Sequence, residues 1–251
     1  MSTEEREQAP TGLPGPGVLR NEVWIVLGLS LLASAVFSLL TLFEAPLRGR
    51  TVTLFANVGL LRQLAGIGFD LVPVMLVVHL LHRSGERVAD LGLDAKRPAR
   101  DLVQGLALAA LVGSVGLALY VVAVRLGVNR GVVPAPTSGQ WWAVPVLLLG
   151  AARSAVLEEV IVVGYLLRRL DQLGWSPNRA LAASALLRGS YHLYQGFGGF
   201  AGNVAMGLLF GRLYQRWGRV TPLVVAHTLI DVGAFVGYAE LAGHVSWLPT
   251  A

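Results

Sequence analysis

The sequence predicts an all-α fold: a polytopic membrane helical bundle of about seven transmembrane helices, with its N-terminus in the cytoplasm. Three observations carry that reading. Apolar residues make up 54% of the 251-residue chain and charged residues only 14%, where a soluble domain carries about 25% charged residues. Mean hydropathy is +0.61, and the apolar residues fall in runs near the roughly 20 residues that a helix needs to cross a bilayer. The 20 Lys and Arg gather in short segments between those runs. That distribution belongs to membrane orientation, so the net charge of +5 does not point to a nucleic-acid partner. The absence of cysteine excludes disulfides, a thiol nucleophile, Cys-ligated zinc and iron–sulfur clusters.

Residues 1–20 are polar and rich in Pro and Gly, which predicts a disordered cytoplasmic tail. The first span is 23–43. It exceeds the 7–15 residues of a signal-peptide core, and Glu4, Glu5 and Glu7 precede it, so it reads as a retained anchor. Residues 51–61 are moderately apolar, Arg62 interrupts, and 63–82 can span; the 51–61 segment either lies at the interface or extends that helix. The third span, 102–124, is uncharged, and the fourth, 141–167, opens on the interfacial pair Trp141-Trp142. Ser176-Pro177 marks a helix start, with Ser as N-cap and Pro at the first helical position. It opens a fifth span ending near Tyr194, followed by a short sixth at 197–211 and a seventh at 220–239. The regions 21–130 and 140–240 form one continuous membrane domain without an internal repeat.

Orientation follows from the basic residues. With the N-terminus inside, the cytoplasmic segments hold thirteen of them: Arg6, Arg20, five in the 83–100 loop, Arg168, Arg169, Arg179, Arg212, Arg216 and Arg219. The outer segments hold four, Arg48, Arg50, Arg125 and Arg130. The excess sets the N-terminus in the cytoplasm.

Ionisable groups at bilayer depth are costly and usually functional. Here they concentrate in the C-terminal half: Arg153, Glu158 and Glu159 in the fourth span, Arg188 and His192 in the fifth, His227 and Asp231 in the seventh. From the helix rise, Glu158 lies about 14 Å from the cytoplasmic end of its span, His192 about 20 Å, His227 about 12 Å and Asp231 about 18 Å. Three helices therefore bring carboxylates and imidazoles to overlapping depths. Arg188/His192 and His227/Asp231 are spaced i, i+4, so each pair shares a helix face. Adjacent Glu158 and Glu159 diverge by about 100°, and at most one faces the centre squarely. The set suits water activation: burial tunes a carboxylate toward general-base work near neutrality, and imidazoles can stabilise an oxyanion or protonate a leaving amine. Glu158, His192 and His227 could equally hold a divalent metal such as zinc, with a fourth position open to water.

These residues carry a resemblance. The paired Glu158-Glu159, His192 in Leu187-Arg188-Gly189-Ser190-Tyr191-His192, and His227-Thr228-Leu229-Ile230-Asp231 resemble the three motifs, E-E-x-x-x-R, F-x-x-x-H and H-x-x-x-N/D, of the CPBP (or Abi) family. That family comprises CAAX proteases and bacteriocin-processing enzymes and includes the type II CAAX prenyl endopeptidases. The resemblance covers about residues 140–240. It implies an intramembrane endopeptidase in which Glu158 activates water, His192 and His227 support the transition state or bind metal, and Asp231 orients or completes the site. It also implies a peptide or membrane-anchored protein as substrate. Two positions depart: Val163 stands where the first motif has Arg, and Arg188 where the second has Phe. Arg188 is therefore expected to supply from the fifth span the charge that Val163 cannot supply from the fourth.

Simpler roles compete for several of these residues. Asp70 is expected to pair with Arg62 or Arg153. Asn203 reads as a packing hydrogen-bonder before a site residue, and Gly198/Gly202 and Gly207/Gly211 as close helix contacts within the bundle. No H-E-x-x-H or G-x-S-x-G occurs, which sets aside zincin and hydrolase-elbow chemistry. The rival readings are a proteolytically silent membrane scaffold or immunity protein and, without an inverted repeat to support it, a proton-coupled transporter. The composition suggests a bacterial plasma membrane.

Overall fold

The computed structural model describes residues 14–32, 34–35, 56–127 and 140–241. Every regular element among them is helical, so the described part of the protein is all-α. Helix α1 runs Pro16–Leu27 and continues as a π turn over Gly28–Leu32. It begins inside the segment read from sequence as a disordered tail. Pro16, at the first helical position, costs no hydrogen bond there and fixes a helical φ, so the chain can start a helix before its apolar run does. The rest of that tail, the first span beyond residue 35 and residues 51–55 lie outside the described residues.

Helix α2 spans Ala56–Asp70 and α3 spans Val72–Arg83. The 51–61 segment, from Ala56 on, thus extends the second span rather than forming a separate interfacial piece. The break falls at Leu71, because Pro73 lacks an N–H and can sit only in the first turn of α3. Helix α4, Pro98–Arg125, is the longest among the described residues. Gly66–Arg83, which runs across the α2–α3 break, and Pro98–Val122 are the two helical stretches among the described residues long and apolar enough to cross a membrane, and Thr221–Gly237 is a shorter apolar helix. Among these residues the structure thus supports two spans by length and composition and does not bring out the expected seven.

The C-terminal half packs around one unusual helix. Helix α5, Ala143–Glu158, passes into a π segment at Glu159–Tyr165 and resumes as α6, Leu166–Gln172. Every residue of the π segment is buried. Its widened turns are of the kind that recurs at functional sites. Ser184 Oγ donates to the Val162 carbonyl at 2.8 Å, so a neighbouring helix supplies hydrogen bonding to this irregular backbone. Helices α7, Pro177–Ser190, and α8, Phe197–Trp217, form a close pair, and α9, Thr221–Leu241, lies against α4 and α5. Ser176 and Pro177 start α7 as expected, although the Ser side chain makes no capping bond. The helix expected as the fifth span is shorter than read from sequence: α7 ends at Ser190, and a 3₁₀ turn over Leu193–Gln195 leads to Gly196. At φ 96°, Gly196 holds a conformation that a side chain would oppose.

Close helix contacts account for one of the two glycine pairs. A Cβ at Gly207 would lie 2.9 Å from Ala185 Cα, and one at Gly211 would lie 2.5 Å from Leu181 Cδ1, both across the α7–α8 contact. Gly202 faces open space. Ion pairs join more distant parts of the chain. Asp70 and Arg153 pair at 2.5 Å between α2 and α5. In the 84–97 loop, Glu86 accepts from Arg168 (2.5 Å), Gln172 (3.0 Å) and the fully buried Arg169. Arg219 binds Asp94 at 2.9 Å and Asp101 at 2.5 Å, which fastens the start of α9 to the start of α4.

Candidate active site

The site is built on the junction of α5 with the π segment. Glu158 is the last residue of α5 and Glu159 the first of the π turn. Opposite them, the buried Arg188 near the end of α7 donates from Nη1 to Glu159 Oε1 at 2.8 Å, while its Nη2 lies 3.3 Å from Glu158 Oε2. Both carboxylates therefore face the centre, where ideal helical geometry allowed only one. The wider π turn begins between them, and the guanidinium is a fork that presents two nitrogens to two partners. Arg188 lies over the ring of Phe210, 5.7 Å from its centroid, and Gly207 leaves room for its stem: a Cβ there would come within 3.3 Å of Arg188 Cδ. Val163, at the position of the first-motif arginine, is fully buried among apolar neighbours.

His227 and Asp231 come from α9. His227 Nδ1 lies 2.8 Å from Glu159 Oε1 and 3.2 Å from Arg188 Nη2. A guanidinium only donates, and a carboxylate only accepts. An unprotonated Nδ1 would bring two acceptors together at 2.8 Å, so the proton on Nδ1 is donated to Glu159. The other nitrogen, Nε2, is left toward Asp231 Oδ1 at 3.6 Å, an ion-pair distance rather than a hydrogen bond. His192 is fixed in the same sense. It lies just past the end of α7, and its Nδ1 is 2.9 Å from the Arg188 carbonyl. That oxygen can only accept, so Nδ1–H donates to it, satisfying one of the carbonyls that a helix end leaves open. Nε2 is the nitrogen that this bond leaves uncommitted. Both imidazoles lie within electrostatic reach of Glu158.

Burial sorts these groups into two layers. Glu159, Arg188 and His227 are buried, while Glu158, His192 and Asp231 are partly accessible. The inner carboxylate and guanidinium form a buried base, and the outer groups are the more accessible ones.

One contributor escaped the sequence reading. Tyr191, 4% exposed, donates its hydroxyl to Glu158 Oε2 at 2.8 Å. Its position beside His192 was visible, but a tyrosine near the end of a membrane helix is ordinary, and nothing in the spacing marks where its hydroxyl goes. Asn203 is not brought into the hydrogen-bonding of the site. Its amide donates to the Gly199 carbonyl of its own helix at 3.0 Å.

The residues present do not fit a divalent metal held by Glu158, His192 and His227. Glu158 Oε2 already faces the Arg188 guanidinium at 3.3 Å and accepts from Tyr191. A fixed cation beside the would-be ligand opposes a second one. Among the described residues, no group of three His, Asp or Glu side chains converges in a metal-holding arrangement.

Comparison with known proteins finds a family match over the C-terminal half. Residues 140–233 match the family described as type II CAAX prenyl endopeptidase Rce1-like. Over this segment the chain is similar to the Rce1-like family. Glu158, Glu159, Tyr191, His192, His227 and Asp231 all fall inside it. The Rce1-like segment thus carries the fold of a CAAX-type protease, in a family that is membrane-embedded, and two apolar helices suited to a membrane accompany it. No curated protein and no solved structure matches the chain.

Proposed function

We propose that this protein is an integral membrane endopeptidase that hydrolyses a peptide bond near the cytoplasmic membrane face, using water activated by Glu158. The observation that carries the reading is the grip on Glu158. Its Oε2 is held by Tyr191 and Arg188, and the residue keeps an accessible side within reach of two imidazoles whose Nδ1 protons are already committed.

In this reading Glu158 takes one proton from water. The hydroxide oxygen bonds to the scissile carbonyl carbon, and the carbonyl π electrons move onto oxygen. His227, flanked by Glu159 and Asp231, has carboxylates on both sides to balance the charge of a doubly protonated ring, which would donate from Nε2 to the oxyanion. Collapse breaks the C–N bond, and the proton held by Glu158 leaves with the amine. His192 Nε2 accepts a hydrogen bond from the attacking water and orients it. Glu159 acts through His227 and Arg188 rather than on the substrate, and Asp231 orients His227.

The substrate class is a peptide or a membrane-anchored protein, as the family's description as prenyl endopeptidases supports. The setting is a bundle of about seven spans with its N-terminus in the cytoplasm of a bacterial plasma membrane. No nucleic acid takes part. The test is cleavage of a prenylated, fluorescently quenched C-terminal peptide by purified protein in liposomes. Cleavage by wild type that falls at least about 100-fold in Glu158→Gln supports the reading. Equal turnover in the two overturns it, and no turnover in either favours the silent scaffold.

A further inference from the structure

Glu158 has two carboxylate oxygens, and the structure treats them differently. Oε2 accepts from Tyr191 at 2.8 Å and faces Arg188 Nη2 at 3.3 Å. The hydrogen bond from Tyr191 and the ion pair with Arg188 both fall on Oε2 rather than Oε1. Glu158 is also the more accessible of the two glutamates, with 12% of its side chain exposed against none of Glu159. From these facts we infer that Tyr191 is a positioning residue for the reaction: with Arg188 it occupies Oε2, fixes the carboxylate plane, and leaves Oε1 as the atom that takes the proton from water. The inference rests on the proposed hydrolysis and adds which oxygen acts and what aims it.

The physical argument is one of orientation. A glutamate's terminal torsion is broad and roughly two-fold, so an untethered carboxylate presents either oxygen. Arg188 alone does not fix it, because that guanidinium also holds Glu159, and its contact with Glu158 is the longer of the two. Tyr191 supplies a second donor from a different direction. Its ring is held by burial and by the neighbouring His192 ring, 4.7 Å away between centroids. It therefore couples the aim of Glu158 to the placement of His192, the next residue in the chain. Tyr191 keeps its own proton throughout. The proton that moves passes from water to Oε1 and then to the leaving amine.

The experiment uses the full-length protein in liposomes and the peptide substrate above. Tyr191→Phe is expected to lower kcat roughly 10- to 100-fold, the scale of one hydrogen bond to a charged group. KM is expected to change less than about twofold, because the substrate does not touch the hydroxyl. An infrared difference spectrum, with the Glu158 band identified by its loss in Glu158→Gln, is expected to show the carboxylate stretch moving in Tyr191→Phe. A purely structural tyrosine would leave that band in place. If Tyr191→Phe does not fold, 3,5-difluorotyrosine at position 191 preserves the shape and changes the donor strength, and kcat is expected to change with KM held. An unchanged kcat in a folded variant, with Glu158→Gln inactive, overturns the inference and leaves the proposed hydrolysis standing. A wild type without activity overturns both.

Discussion

Arg188 Nη1 and Glu159 Oε1 lie 2.8 Å apart, with 1% and 0% of their side chains exposed, and they come from different helices. Removing one partner of such a pair strands a buried charge and costs about 3–5 kcal/mol, whereas removing both costs much less than the sum. The pair connects the two departures from the family motifs, an arginine lost at Val163 and one gained at Arg188.

A double-mutant cycle on Glu159→Gln and Arg188→Met therefore has a definite expected result. Each single variant loses thermal stability in detergent, and the double variant recovers part of the loss, with a coupling energy of about 0.5–3 kcal/mol. Additive losses would mean that the two charges do not sustain one another.

Relocation of the charge gives a second test. Val163 is four residues beyond Glu159 on the same helical stretch, a spacing that places side chains near one another. Arg188→Phe alone is expected to lower both stability and peptide cleavage. Adding Val163→Arg to that variant, which restores the family's arrangement, is expected to recover at least tenfold of the lost cleavage, or about 1.4 kcal/mol. No recovery would show that the position of the charge matters as much as its presence.

The two sets of glycines should behave differently. Gly207→Ala forces a methyl group to within 2.9 Å of Ala185 Cα and 3.3 Å of Arg188 Cδ, and is expected to cost about 1–3 kcal/mol. Gly202→Ala meets nothing within 4 Å and is expected to leave stability unchanged or raise it by up to about 1 kcal/mol. Thermal unfolding of the two variants in the same detergent reads the difference.

The all-α class and most of the charged residues that the structure brings together were legible in the sequence, because apolar run length and the rarity of buried charge are local signals. The way those residues meet was not. That Glu158 and Glu159 share one guanidinium depends on a π turn beginning at Glu159, and nothing in Glu159–Tyr165 distinguishes it from an α-helix by composition. That His192 caps Arg188's carbonyl rather than lying within a helix depends on α7 ending at Ser190. Tyr191 and Gly207 act through contacts across helices, which spacing within one helix cannot reveal.

The loop network gives a pH dependence outside the membrane. Burial would push the Glu86 carboxyl up, but the hydrogen bonds and charges of Arg168 and Arg169 outweigh it and hold it below its ordinary value. A carboxyl depressed in the folded state contributes stability that is fully present above its unfolded value. That contribution is lost as pH falls through the folded value. Stability is therefore expected to hold steady above about pH 4.3 on this group's account and to fall below it. Glu86→Gln is expected to be less stable at pH 7 and to show a shallower acid fall. Melting temperature against pH in detergent checks both.

The central claim is that Glu158 cuts other proteins in the membrane. Its most direct test compares protein N- and C-termini by mass spectrometry in host membranes containing wild type, Glu158→Gln at equal expression, or no copy. Termini present with wild type and absent from the other two would establish proteolysis that needs Glu158 and would name the substrate. Identical termini in all three would contradict the claim and leave the protein a membrane scaffold built on a protease fold.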